Sequence, residues 1–76
     1  MSKLPLVTGT EMCRLLENIG FIQKRQRGSH ICMAHEDGRT VIVPVHANEQ
    51  LGRGLIRALL REVKLSTAEY ISLRQS

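Results

Sequence analysis

Met12, Leu15, Leu16 and Ile19 recur at i, i+3, i+4 and i+7, the spacing of one helix face. Ahead of them, Thr8-Gly9-Thr10-Glu11 has the Ser/Thr-x-x-Glu spacing in which a hydroxyl and a carboxylate each satisfy the other's backbone N–H, so the helix should begin there. Gly20 follows the last apolar position and suits the left-handed residue that ends a helix. Upstream, Leu4-Pro5-Leu6 reads as an extended arm.

From Phe21 the helical period is lost. Strands are expected over Phe21 to Arg27, His30 to His35 and Thr40 to Val45. The first break, Gly28-Ser29, suits a two-residue turn with glycine first; the second contains Asp37-Gly38, which suits a mirror-image type I turn. Tight turns of that kind set Arg27 opposite His30, Arg25 opposite Cys32, and Cys32 opposite Val43. Ile31, Met33 and Ile42 then share the other face, so both faces carry apolar groups and the pattern leaves open which one meets the helices. A bulge at either turn would exchange these assignments locally.

Pro44 lacks the donor that a central strand needs, so the last strand stops there or lies on an edge. After a loop through Ala47-Asn48-Glu49-Gln50, a helix is predicted from about Gly54 to Lys64, with Leu55, Ile56, Leu59, Leu60 and Val63 on its apolar side. On the other side Arg53, Arg57, Arg61 and Lys64 fall within an arc of roughly 80°. Ser66-Thr67-Ala68-Glu69 is a second capping box, flanked by Leu65 and Tyr70 as a hydrophobic staple, and opens a short helix ending near Leu73. The expected fold class is α+β: a two-layer sandwich in α-β-β-β-α order, helices on one face of a three-stranded antiparallel sheet, plus a short C-terminal helix.

With 76 residues, 42% of them apolar and 24% charged, the whole chain, 1–76, reads as one small globular domain. So short a chain buries only about 60% of its unfolded surface, so chemistry should sit on an open face. Eleven Lys and Arg against seven Asp and Glu give a net charge of +4, which favours a polyanion or an acidic partner. Phe21 and Tyr70 are the only aromatic residues besides the histidines, too few for a base-stacking aromatic platform, so phosphate contact is the better expectation. No apolar run is long enough to span a bilayer, the N-terminus lacks a signal-peptide pattern, and Cys13 and Cys32 show no Cys-x-x-Cys spacing; a cytoplasmic location is expected.

The predicted element order is that of double-stranded-RNA-binding domains. Within it, Ile19-Gly20-Phe21, Arg25-Gln26-Arg27-Gly28-Ser29-His30, Val43-Pro44-Val45-His46 and Gly54-Leu55-Ile56-Arg57 with Leu59-Leu60 resemble the HicA (YcfA-like) toxin family over residues 4 to 73. The resemblance implies the toxin of a type II toxin–antitoxin pair: an mRNA interferase of the double-stranded-RNA-binding-domain-like fold, with one required histidine that matches His30, held in check by a HicB-like antitoxin that occludes this region. Ile31, Cys32, Met33 and Leu55 depart from the residues common in the family at those positions, and none of the departures touches the histidine.

The residues are compatible with such chemistry. RNA supplies its own 2′-hydroxyl nucleophile, so cleavage needs a base of near-neutral pKa and cations over the phosphate, without a metal or other cofactor. His30 can serve as the acid/base residue. Lys24, Arg25, Arg27 and Ser29 flank it as candidate RNA contacts, and Arg53, Arg57, Arg61 and Lys64 can hold flanking phosphates by charge. His46 matches the family motif and is a further candidate RNA contact, whereas His35 reads as flanking a hairpin. His30, Cys32, His35 and His46 lack any standard metal-ligand spacing. Each assignment has a plainer rival: edge-strand gatekeepers for Arg25 and Arg27, a solvated or antitoxin-covered face for the helix stripe, core packing for Cys13, a turn requirement for Gly28. A non-catalytic RNA-binding module and an inactive antitoxin-binding homologue remain the alternatives.

Overall fold

A computed structural model describes residues 4–75. Its elements are α1 (Gly9–Glu17), β1 (Ile22–Arg27), β2 (His30–Ala34), β3 (Thr40–Pro44), α2 (Arg53–Val63) and α3 (Thr67–Gln75). The strands form one antiparallel sheet in the order β1-β2-β3. This is the expected order, and Pro44 closes an edge strand, where its missing donor breaks no ladder.

Both capping boxes form. The Thr8 N–H donates to the Glu11 carboxylate and the Glu11 N–H to the Thr8 hydroxyl; Ser66 and Glu69 repeat the exchange ahead of α3. At the end of α1, the Phe21 N–H reaches the Leu16 carbonyl and the Gly20 N–H reaches that of Glu17, with Gly20 at φ 102°. The end of α2 has the same bond pattern around Lys64, at φ 58°. A lysine there meets the Cβ clash that glycine avoids, so Lys64→Gly should raise stability by roughly 0.5–1 kcal/mol, read as a higher urea midpoint.

The core joins α1, α2 and one face of the sheet. Met33 and Val43 are fully buried, Val41 nearly so, and Phe21, Met12, Leu16, Ile56, Leu59, Leu60 and Val63 close over them. The arm before α1 belongs to this core through Leu4 and Val7 and is pinned by Tyr70, whose hydroxyl donates to the Pro5 carbonyl. Tyr70→Phe keeps the ring and orphans that half-buried acceptor, for an expected loss of about 1 kcal/mol in chemical denaturation.

The second hairpin corrects the sequence reading. The connection is a three-residue loop, not two: the Gly38 N–H bonds to the His35 carbonyl, the His35 N–H to that of Arg39, and only Gly38 in the loop has positive φ. A type I turn followed by a left-handed glycine is the alternative hairpin geometry for such a loop. The extra loop residue shifts the register by one, so Cys32 pairs with Ile42 and Val43 with Ile31. Val43 therefore turns inward, and Ile42 leaves the face of Ile31 and Met33 and stands 58% exposed. The first hairpin holds as expected, Arg27 opposite His30 and Arg25 opposite Cys32, but a bulge between Gln23 and Arg25 moves Gln23 opposite Met33. On α2, Leu55 is also exposed and does not join the core; Leu51, just before the helix, is buried instead.

Candidate functional site

With the register settled, the face of the sheet away from the helices can be laid out row by row. Arg27, His30 and Pro44 form one row across the three strands, Arg25, Cys32 and Ile42 the next, and Ile22, Ala34 and Thr40 the third. The first two rows supply all the residues lining an open depression of about 280 Å³: Arg25, Arg27, His30, Cys32 and Ile42. The glycine-first turn at Gly28, with φ 54°, folds β1 back directly beside His30.

His30 is exposed, and among the described residues no hydrogen bond or ion pair engages its ring. Arg25 and Arg27 are exposed beside it without a carboxylate partner, since the ion pair among the described residues joins Asp37 to Arg39, with the His35 ring alongside. The depression thus presents a free imidazole and two uncompensated guanidinium groups.

The other candidate residues lie elsewhere. Lys24 is the extra residue of the β1 bulge and is exposed. Ser29, in the turn, uses its carbonyl to accept the Val45 N–H, which ties the end of β3 to the His30 hairpin. His46 is exposed in the loop after β3 and does not line the depression. Arg53, Arg57 and Arg61 are exposed on α2, whose buried side meets the opposite face of the sheet, so this stripe belongs to the outer helical layer. Arg57 and Arg61 line a separate hollow with Leu60, Leu65, Ser66 and Thr67.

His35 does more than flank a hairpin. Its Nδ1 accepts the Asp37 N–H, so its Nε2 carries the proton that it donates to the Ile19 carbonyl. The ring also meets Phe21 edge-on at 5.1 Å, and Arg39 stacks over the same Phe21 while its guanidinium reaches the Val63 carbonyl. This cluster fastens the β2–β3 hairpin to the ends of α1 and α2. The Arg39 backbone N–H, with some opposition from desolvation, and then the Arg39 guanidinium hold the Asp37 carboxyl below the usual range. Burial, reinforced by the charge of Glu17, pushes the Cys13 thiol up to about 11, which leaves it a packing group. Among the described residues no cluster of three or more His, Cys, Asp or Glu is arranged to hold a metal.

His30, Arg25 and Arg27 lie together as the sequence predicts, whereas Ile42 joins them only through the longer second loop. The signal was present in Glu36-Asp37-Gly38, three residues with glycine last, which fits a loop one residue longer than Asp37-Gly38 alone.

A helix-backed sheet in α-β-β-β-α order, with its free face carrying histidine and arginine, defines a small α+β protein. A family model described as the HicA toxin of bacterial toxin-antitoxin matches residues 9–65, from the first residue of α1 to just past α2. The chain belongs to the HicA toxin family; it is a toxin of a toxin–antitoxin system and has an antitoxin as its partner. No curated protein matches it. The arm and α3 lie outside the family match, and no helix among the described residues is long and apolar enough to cross a membrane.

Proposed function

We propose that this toxin is a metal-independent endoribonuclease that cleaves mRNA, with His30 as its acid/base residue, and that a HicB-like antitoxin neutralises it by covering the His30 face. The observation that carries the reading is the unengaged His30 imidazole in one depression with Arg25 and Arg27.

In this scheme His30 takes the proton from a ribose 2′-hydroxyl, and the 2′-oxygen attacks the adjacent phosphorus as the bond to the 5′-oxygen breaks. The leaving 5′-oxygen, on the opposite side of the phosphorus, takes a proton from water, and the imidazolium gives its own to the hydroxide left behind. Arg25 and Arg27 oppose the negative charge that builds on the phosphoryl oxygens. An open face admits a long strand, as a message requires. The stripe Arg53, Arg57 and Arg61, with Lys64 at the cap, Lys24 and Ser29 beside the hairpin and His46 in the following loop hold neighbouring segments of the strand, chiefly through phosphate.

The route has a chemical signature. Fragments should end in a 2′,3′-cyclic phosphate, detected by mass spectrometry or by 3′ ends that resist labelling until the ring is opened and the phosphate removed. Fragments bearing 5′-phosphates would contradict it, because they require water as the nucleophile.

A further inference from the structure

The sheet face beside His30 carries apolar groups that neither the core nor the proton transfer uses. Ile42 is 58% exposed although it stands at the middle of β3. Its cross-strand partner is Cys32, and the partner of Cys32 on the other side is Arg25. Residues two apart on a strand are about 6.6 Å apart, so this row lies one step from the His30 imidazole on the same face. Ile42 and Cys32 line the same depression as His30, Arg25 and Arg27. An apolar floor with cations on one side and a proton carrier at its end has the composition of a nucleotide: a base of low polarity on its faces, and a phosphate.

We propose that the Cys32–Ile42 row is a nucleobase shelf. An unpaired base of the RNA lies flat against the Ile42 and Cys32 side chains, Arg25 and Arg27 hold the phosphates on either side, and the ribose is brought to His30. The inference rests on the ribonuclease reading and deepens it by naming the substrate class as single-stranded RNA, because in a duplex the faces of each base are already stacked and its pairing edge is occupied. The shelf offers contact area and, at Cys32, only a weakly polar thiol. It therefore discriminates by the apolar area a base covers, purine over pyrimidine, and not by a hydrogen-bonding code.

The test is a binding cycle with His30→Ala protein, which holds RNA without cutting it. Fluorescence anisotropy would compare a short single-stranded RNA, an abasic ribose-phosphate oligomer of equal length, and the RNA in duplex form. With Ile42 present, removing the bases should weaken binding about tenfold, the effect of taking roughly 50–60 Å² of apolar surface out of water. Ile42→Ser should cost the base-bearing strand a similar factor and leave the abasic oligomer unchanged, and Ile42→Phe should restore or tighten binding. Equal binding of both single-stranded oligomers, an Ile42→Ser penalty that falls equally on both, or a duplex bound as tightly as the single strand would overturn the shelf. Unchanged RNA binding by Ile42→Ser together with weakened antitoxin binding would assign the row to the protein partner instead. Cleavage by the unsubstituted toxin is scored separately: cutting without base dependence removes the shelf alone, and base dependence without cutting removes the ribonuclease reading alone.

Discussion

His30→Ala should lower the rate of RNA cleavage by about 10²- to 10⁴-fold, the usual contribution of a positioned acid/base group. Two structural facts make the substitution a clean probe. The side chain is exposed, and among the described residues no hydrogen bond or ion pair depends on the ring. The unfolding free energy from urea titration should therefore stay within about 0.5 kcal/mol of the unsubstituted protein. RNA retention should also persist, because Arg25, Arg27 and the α2 stripe supply the phosphate contacts and remain in place. A variant that still cuts at the original rate would remove His30 from the chemistry. One that loses both cutting and RNA retention would make it a binding contact.

Gly9→Ala should destabilise the fold by roughly 2–3 kcal/mol, the range of a backbone clash without a rotamer escape. In an ordinary helix interior the same exchange is favourable by about 0.8–1 kcal/mol, so the sign itself is informative. A Cβ at Gly9 would lie 2.0 Å from the Pro44 carbonyl oxygen and 2.9 Å from the Val45 Cα. Both are backbone, so either α1 must lift or the end of β3 must move. That strand end is also part of the site: Pro44 is the cross-strand partner of His30, and the Val45 N–H holds the Ser29 carbonyl. The variant should therefore lose cleavage beyond what its unfolded fraction accounts for, when activity is measured at a temperature where it remains mostly folded. A stability equal to or above that of the unsubstituted protein would show that the first turn of α1 stands further from β3.

Most of the architecture was legible because local chemistry dictated it. Thr8 with Glu11 and Ser66 with Glu69 are reciprocal caps written three residues apart, and they form. Gly28 with Ser29 fixed the first hairpin, so the pairing of Arg27 with His30 followed from counting residues. The second hairpin did not follow, because Asp37-Gly38 suits a two-residue loop, whereas Glu36-Asp37-Gly38 also makes a three-residue loop with a left-handed glycine at its end. That single residue decides whether Ile42 or Val43 faces the core. Tertiary packing chose Val43, and the choice put an isoleucine beside the candidate catalytic histidine. The close approach of Gly9 to Pro44 and the His35–Phe21–Arg39 cluster were out of reach for a related reason: each joins elements far apart in sequence, and no local pattern encodes it.

The family and the fold are shared by every reading of this toxin, so the decisive observation is chemical. Folded toxin, freed of antitoxin, would be incubated with a long single-stranded RNA in the presence of EDTA and the products resolved on a denaturing gel. The account predicts discrete fragments whose yield grows with time and is unaffected by the chelator. RNA that stays intact, or that is cut only when a divalent metal is restored, would contradict a metal-independent ribonuclease built on His30.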